Sequence, residues 1–142
     1  MSLFDRIFGK ETITSFENVT LRISGMRAAS EYVIVMKDGM AELSEYNGFH
    51  QDEGDAGTPR KRVTCGADRV LKLMNGCGLL SWDGFHGKHP KGVRDGTAFI
   101  LKAAVNGGKT IFAHGSQNFP AHYREFTDGV RDILNDPENV AQ

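Results

Sequence analysis

The segment from Asp95 to Pro120 constrains the fold more than any other part of the chain. Thr97, Phe99, Leu101, Ala103 and Val105 alternate with Ala98, Ile100, Lys102 and Ala104, the two-residue period of an extended strand. Both faces are fairly apolar, which places this strand in the interior of a sheet. Asn106-Gly107-Gly108 supplies the positive φ that a tight hairpin turn needs, and Thr110 to His114 returns as the partner strand. Gly115 lets the chain leave the sheet. Pro120 has a preset φ and no N–H to lose, which suits it to a first helical turn. Phe119, Tyr123, Phe126, Val130, Ile133 and Leu134 then mark the apolar stripe of a helix lying on a sheet, and Pro137 follows its end.

The first half of the chain predicts a three-stranded antiparallel meander. Val19, Leu21 and Ile23 alternate with Thr20, Arg22 and Ser24 as a half-buried strand. Tyr32 to Met36 is an unbroken apolar run of the kind found in central strands. Asp38-Gly39 is a hairpin turn, and Ala41 to Tyr46 returns with Leu43 inward and Glu42 and Glu45 near the surface. Ala67, Val70, Leu71 and Met74 have helical spacing, terminated by Gly76 and Gly78. Strands, helix, strands, helix is the order of an α+β fold. The expectation is a single domain over residues 1–142, with an antiparallel sheet of about five strands and two main helices packed on one face. Residues 1–9, with Leu3, Phe4, Ile7 and Phe8 on one face, form a short amphipathic segment at the domain edge. Residues 48–62, polar and acidic before Arg60-Lys61-Arg62, read as a mobile loop.

The strand, the run Gly115-Ser116-Gln117-Asn118-Phe119-Pro120 and the following aromatic-striped helix, preceded by Asp95-Gly96-Thr97, resemble the C-terminal half of small uncharacterised bacterial α+β proteins. The likeness covers about the last third of the chain. It implies a fold and no activity, and no functional residue carries over from it.

A formal net charge of -1 gives no global field toward nucleic acid or anionic lipid. Arg60, Lys61, Arg62, Arg69, Lys72, Lys88, Lys91 and Arg94 make at most a local basic patch, without interleaved aromatics, so nucleic acid is not the expected partner. No apolar run reaches the length of a membrane span, and the N-terminus has no apolar signal core. Two cysteines, Cys65 and Cys77, flank the first helix and lie about 18 Å apart along it. That exceeds disulfide reach and predicts free thiols in a reducing, bacterial-like cytoplasm. Near the helix start, Cys65 has Arg62 for a cationic neighbour, but a buried, inert thiol is the simpler reading.

Residues 79–95 carry the candidate site. They hold the chain's one tryptophan, Trp82, with Phe85, His86 and His89 in a glycine-rich run. Trp82 and Phe85 either fold back to close the core or form a ligand-binding lip with the two imidazoles. His86 and His89 are weak candidates for a metal, which His114, His122, Cys65 or Cys77 would have to complete, since the spacing lacks the helical geometry of a zinc-protease motif. Ser116 is not in a nucleophile elbow, and no phosphate loop is present. No catalytic residue, cofactor or metal is therefore assigned. The expected function is a non-enzymatic module that binds a protein partner or small ligand, with a metal-dependent enzyme using the His86/His89 loop as the alternative.

Overall fold

A computed structural model describes residues 11–26, 28–48, 58–92 and 96–141. Strands β1 (Phe16–Ser24), β2 (Ala29–Lys37) and β3 (Met40–Asn47) form the expected meander, with Leu21 opposite Tyr32 and Ile34 opposite Leu43. The β2–β3 turn is a two-residue one, Asp38 at φ 53° and Gly39 at φ 79°, the left-handed pair that matches the twist of a hairpin. Strand β4 (Lys61–Cys65) pairs with β3 and leads into helix α1 (Ala67–Gly76). A single 3-10 turn (Leu79–Trp82) and a two-residue strand β5 (His86–Gly87) follow. Strands β6 (Ala98–Val105) and β7 (Lys109–Ser116) make the C-terminal hairpin, then come helix α2 (Tyr123–Asn135) and a short β8 (Val140–Ala141).

The strands form one sheet in the order β5-β7-β6-β1-β2-β3-β4-β8. The fold is α+β with two helices, as the element order predicts. The strand count is a correction: eight among the described residues rather than about five. The additions are β4, β5 and β8, of which β5 and β8 are two-residue strands at the two edges, too short to leave a periodic pattern in sequence. Nor is the sheet wholly antiparallel, because β5 pairs parallel with β7, His86 opposite His114 and Gly87 opposite Gly115.

Register puts Val19, Leu21, Ile34, Leu43, Val63, Phe99, Leu101, Ala103, Ile111 and Ala113 on one face, where all are buried. Val70 and Met74 of α1 and Phe126, Val130, Ile133 and Leu134 of α2 join them in one continuous core. The central place of β6 between β7 and β1 agrees with its two apolar faces.

Three local readings change. Lys61 and Arg62 belong to β4 and not to a loop extending through residue 62; Arg62 is held there by Ser44 Oγ at 2.9 Å and Tyr46 Oη at 3.0 Å. The rest of that loop between 49 and 57, like the amphipathic segment 1–9, lies outside the described residues. Glu42 is buried rather than near the surface, since the Arg62 and Lys37 cations approach its carboxylate to 3.6 and 3.5 Å. Helix α2 begins at Tyr123, not at Pro120. The Trp82 indole N–H donates to the Ala121 carbonyl at 3.1 Å, and His122 takes φ 66°, so residues 120–122 form a turn tied to the core.

Candidate functional site

Cys65 and Cys77 are buried and unbridged. Burial pushes both thiols up; the nearby Arg69 charge opposes this for Cys65 and Glu125 reinforces it for Cys77. These are poor nucleophiles and poor metal ligands in the folded chain.

The structure separates the four candidate loop residues into two groups. Trp82 is 1% exposed, its ring 5.6 Å from Phe126 and 6.1 Å from Tyr123. Phe85 is half-buried with its ring 6.1 Å from Phe99. Both aromatics thus pack into the core, on the helix-covered side of the sheet. His86 and His89 sit on the other side. His86 Nδ1 lies 2.7 Å from His114 Nε2, with the ring planes at 90°. His89 Nδ1 lies 2.7 Å from Ser116 Oγ.

Backbone geometry causes this split. Parallel pairing sets His86 beside His114, and His114 N–H donates to the Phe85 carbonyl at 3.1 Å. Phe112, His114 and Ser116 alternate along β7, so all three project from the face away from the helices. With His86, Lys88, His89 and Ile100 they line an open groove of about 520 Å³. Phe112 and Ile100 are left 45% and 38% exposed there. Lys102, beside Phe112 on β6, places its ammonium 6.0 Å from that ring. No carboxylate is among the described residues that line the groove.

The neutral imidazole pair has a fixed donor balance. One N–H lies between the rings, so the donor ring keeps an outer lone pair and the acceptor ring keeps an outer N–H. The pair therefore presents one donor and one acceptor to the groove, whichever tautomer is adopted.

The Ser116–His89 contact does not extend to a nucleophilic centre. The neighbouring Gln117 amide is committed to the Thr97 carbonyl at 2.8 Å, so it does not point at a substrate oxyanion. Gln117 itself is held at φ 52°, and its side-chain oxygen accepts from the Thr97 amide, which makes this turn a closure of the hairpin end. The other sequence candidates for metal ligation are dispersed: His122 pairs with Glu125 at 3.2 Å at the start of α2. No group of three or more His, Cys, Asp and Glu side chains among the described residues is placed to hold a metal ion.

A second cleft, of about 600 Å³, lies where α2 meets the ends of β1 and β6. Its charges answer one another: Arg131 approaches Asp128 at 3.7 Å and also donates to Tyr32 Oη at 3.2 Å. The Tyr123 hydroxyl on its wall is buried and has no hydrogen-bond partner among the described residues; burial pushes its pKa up to about 12.

His114, Ser116 and Phe112 are the site residues that reading the loop alone misses. Their signal is the two-residue alternation of the return strand, which puts them on the face opposite Ala113 and Ile111. No helix among the described residues is long and apolar enough to cross a membrane. Comparison with family models, with curated proteins and with solved structures finds no match.

Proposed function

We propose that the chain is a non-enzymatic binding module, and that the groove between β5, β7 and β6 takes a small anionic ligand carrying an apolar ring or chain. One observation carries the reading. The groove combines imidazoles, the Lys88 ammonium and the Ser116 hydroxyl with two large apolar side chains held in water, and no carboxylate lines it among the described residues. Leaving Phe112 and Ile100 exposed forgoes burial worth about 1.5–3 kcal/mol for each side chain when complete. A ligand that covers them recovers part of that, and its anion finds N–H and O–H donors and a cation there with no carboxylate among the described lining residues to repel it. The α2 cleft offers no such imbalance, because its acids and bases are both present.

Cytoplasmic residence and the likeness to small bacterial α+β proteins remain part of this proposal and add no activity to it. The alternative of a metal-dependent enzyme built on His86 and His89 has less support, because each ring turns to a different residue of β7.

Thermal-shift titration with aromatic and aliphatic carboxylates and with phosphate monoesters, all in chelator-treated buffer, tests the reading. A ligand that binds only the folded chain raises the midpoint with concentration. Stabilisation by aryl or alkyl anions, lost in Phe112→Ser and reduced in Lys88→Ala, is the expected result. Equal response of parent and both variants overturns it.

A further inference from the structure

The His86–His114 contact has a feature that anion binding does not require. Two ring nitrogens stand 2.7 Å apart on an exposed edge, and neither imidazole has a carboxylate or other charged side chain as its hydrogen-bond partner among the contacts described. Their spacing is set by the backbone. His86 and His114 are direct partners in the parallel β5–β7 pair, and Phe85 O accepts from His114 N–H.

We infer that this pair is a two-imidazole site for a late first-row divalent cation, copper(II) or nickel(II). Nitrogen ligands bind such metals at about 2.0–2.1 Å. Two of them at a right angle are then about 2.9 Å apart, and at the tetrahedral angle about 3.3 Å. The observed separation is close to the right-angle value, the cis arrangement of square-planar and tetragonal coordination that copper(II) and nickel(II) favour. Zinc asks for a wider opening and normally for further protein ligands, and no group of three or more ligating side chains is assembled among the described residues.

The binding step needs no co-reactant. The cation takes the lone pairs of His86 Nδ1 and His114 Nε2 in place of the shared hydrogen bond. Each neutral ring then carries its proton on the outer nitrogen, so the ring that was the donor changes tautomer and no proton is released. Water, or an anion held in the groove, completes the coordination sphere. His86 is exposed and His114 half-buried beside it, which leaves those positions accessible from the His86 side.

The test uses the full chain without an affinity tag, in a buffer that does not bind metal. Isothermal titration with copper(II) chloride and nickel(II) chloride should show one saturable equivalent, retained in His122→Ala and lost in His86→Ala and in His114→Ala separately. Electron paramagnetic resonance of the parent with one equivalent of copper(II) should show tetragonal parameters with coupling to two imidazole nitrogens. That spectrum needs no variant and so stands even if a substitution impairs folding. No saturable site, binding unchanged in either pair variant, or a copper spectrum with one or no imidazole nitrogen overturns the inference. The anion titration in chelator-treated buffer reads the groove without metal, so failure of one proposal is distinguishable from failure of the other.

Discussion

Gly87 and Gly115 face each other in the β5–β7 pair, and the backbone carbonyl of Asn118 occupies the space where a Cβ on either would lie. A Cβ on Gly115 would also stand 3.0 Å from the Phe99 ring and 3.2 Å from the Gly87 Cα. The absence of two side chains lets the 117–119 turn fold over the end of the sheet. That turn brings Phe119 against Phe99 and Tyr123, at ring distances of 5.6 and 4.5 Å, and so seats the start of α2. The same paired backbone holds His86 and His114 together on the opposite face.

Gly115→Ala therefore places a methyl against fixed backbone. Overpacking of this kind costs about 1–3 kcal/mol, and the rigidity of a carbonyl argues for the upper end. Gly76→Ala is the control, since its Cβ would meet nothing within 4 Å and a position within helix α1 favours alanine over glycine. Urea denaturation should separate the two variants clearly, with Gly76→Ala at least as stable as the parent.

Phe126 is fully buried and meets the Trp82 ring edge-on. Phe126→Ala should cost about 3–5 kcal/mol, a large share of the stability of a domain this size. A melt matching the parent would mean that α2 does not present this residue to the core.

Glu45 sets an acid limit on stability. Burial pushes its carboxyl up, but hydrogen bonds from Arg60 and Tyr32 and the charges of Arg60 and Lys61 outweigh that and hold it below the usual carboxylate range. A carboxyl with a lowered folded pKa stabilises above the unfolded value, about 4.3, and loses that contribution as pH falls through the folded one. Glu45→Gln should be less stable than the parent at pH 7, with the gap closing as the pH is taken from about 5 to 3. Denaturant midpoints across that range measure it, and a gap independent of pH would count against the Arg60–Glu45–Tyr32 link.

Cys65 and Cys77 should react slowly with a disulfide reagent at pH 8 in the folded chain and rapidly once unfolded, by an order of magnitude or more. The cause is both burial and the raised thiol pKa. Two fast equivalents in native buffer would contradict their placement.

The sequence was most readable where period and punctuation agree. β1 to β3, the β6–β7 hairpin and the two helices all follow from alternation, helical spacing and the Asp38-Gly39 and Asn106-Gly107-Gly108 turns. The edges were not readable, because β5 and β8 contribute two residues each and their pairing depends on distant strands. The site was half readable. His86 and His89 stand out in a glycine-rich segment, but their partners His114 and Ser116 come from β7, and only the parallel pairing selects them. Trp82 could not be placed from its neighbours: whether it turns inward depends on the Ala121 carbonyl 39 positions later, which accepts its N–H.

The junction of β1 with β6 has a consequence for how the chain acquires its structure. Ser24 pairs with Ala98 and Phe16 with Val105, so the middle of the sheet joins segments made far apart in time. At roughly 5–20 residues per second, synthesis leaves β1 without this neighbour for roughly 4–15 s. The β1–β3 meander can assemble meanwhile, because its contacts are local, but it carries an open flank until β6 is released. Folding speed should accordingly track the closure of this long loop rather than formation of either hairpin, and the nascent β1–β3 unit is the species most exposed to mispairing with another chain.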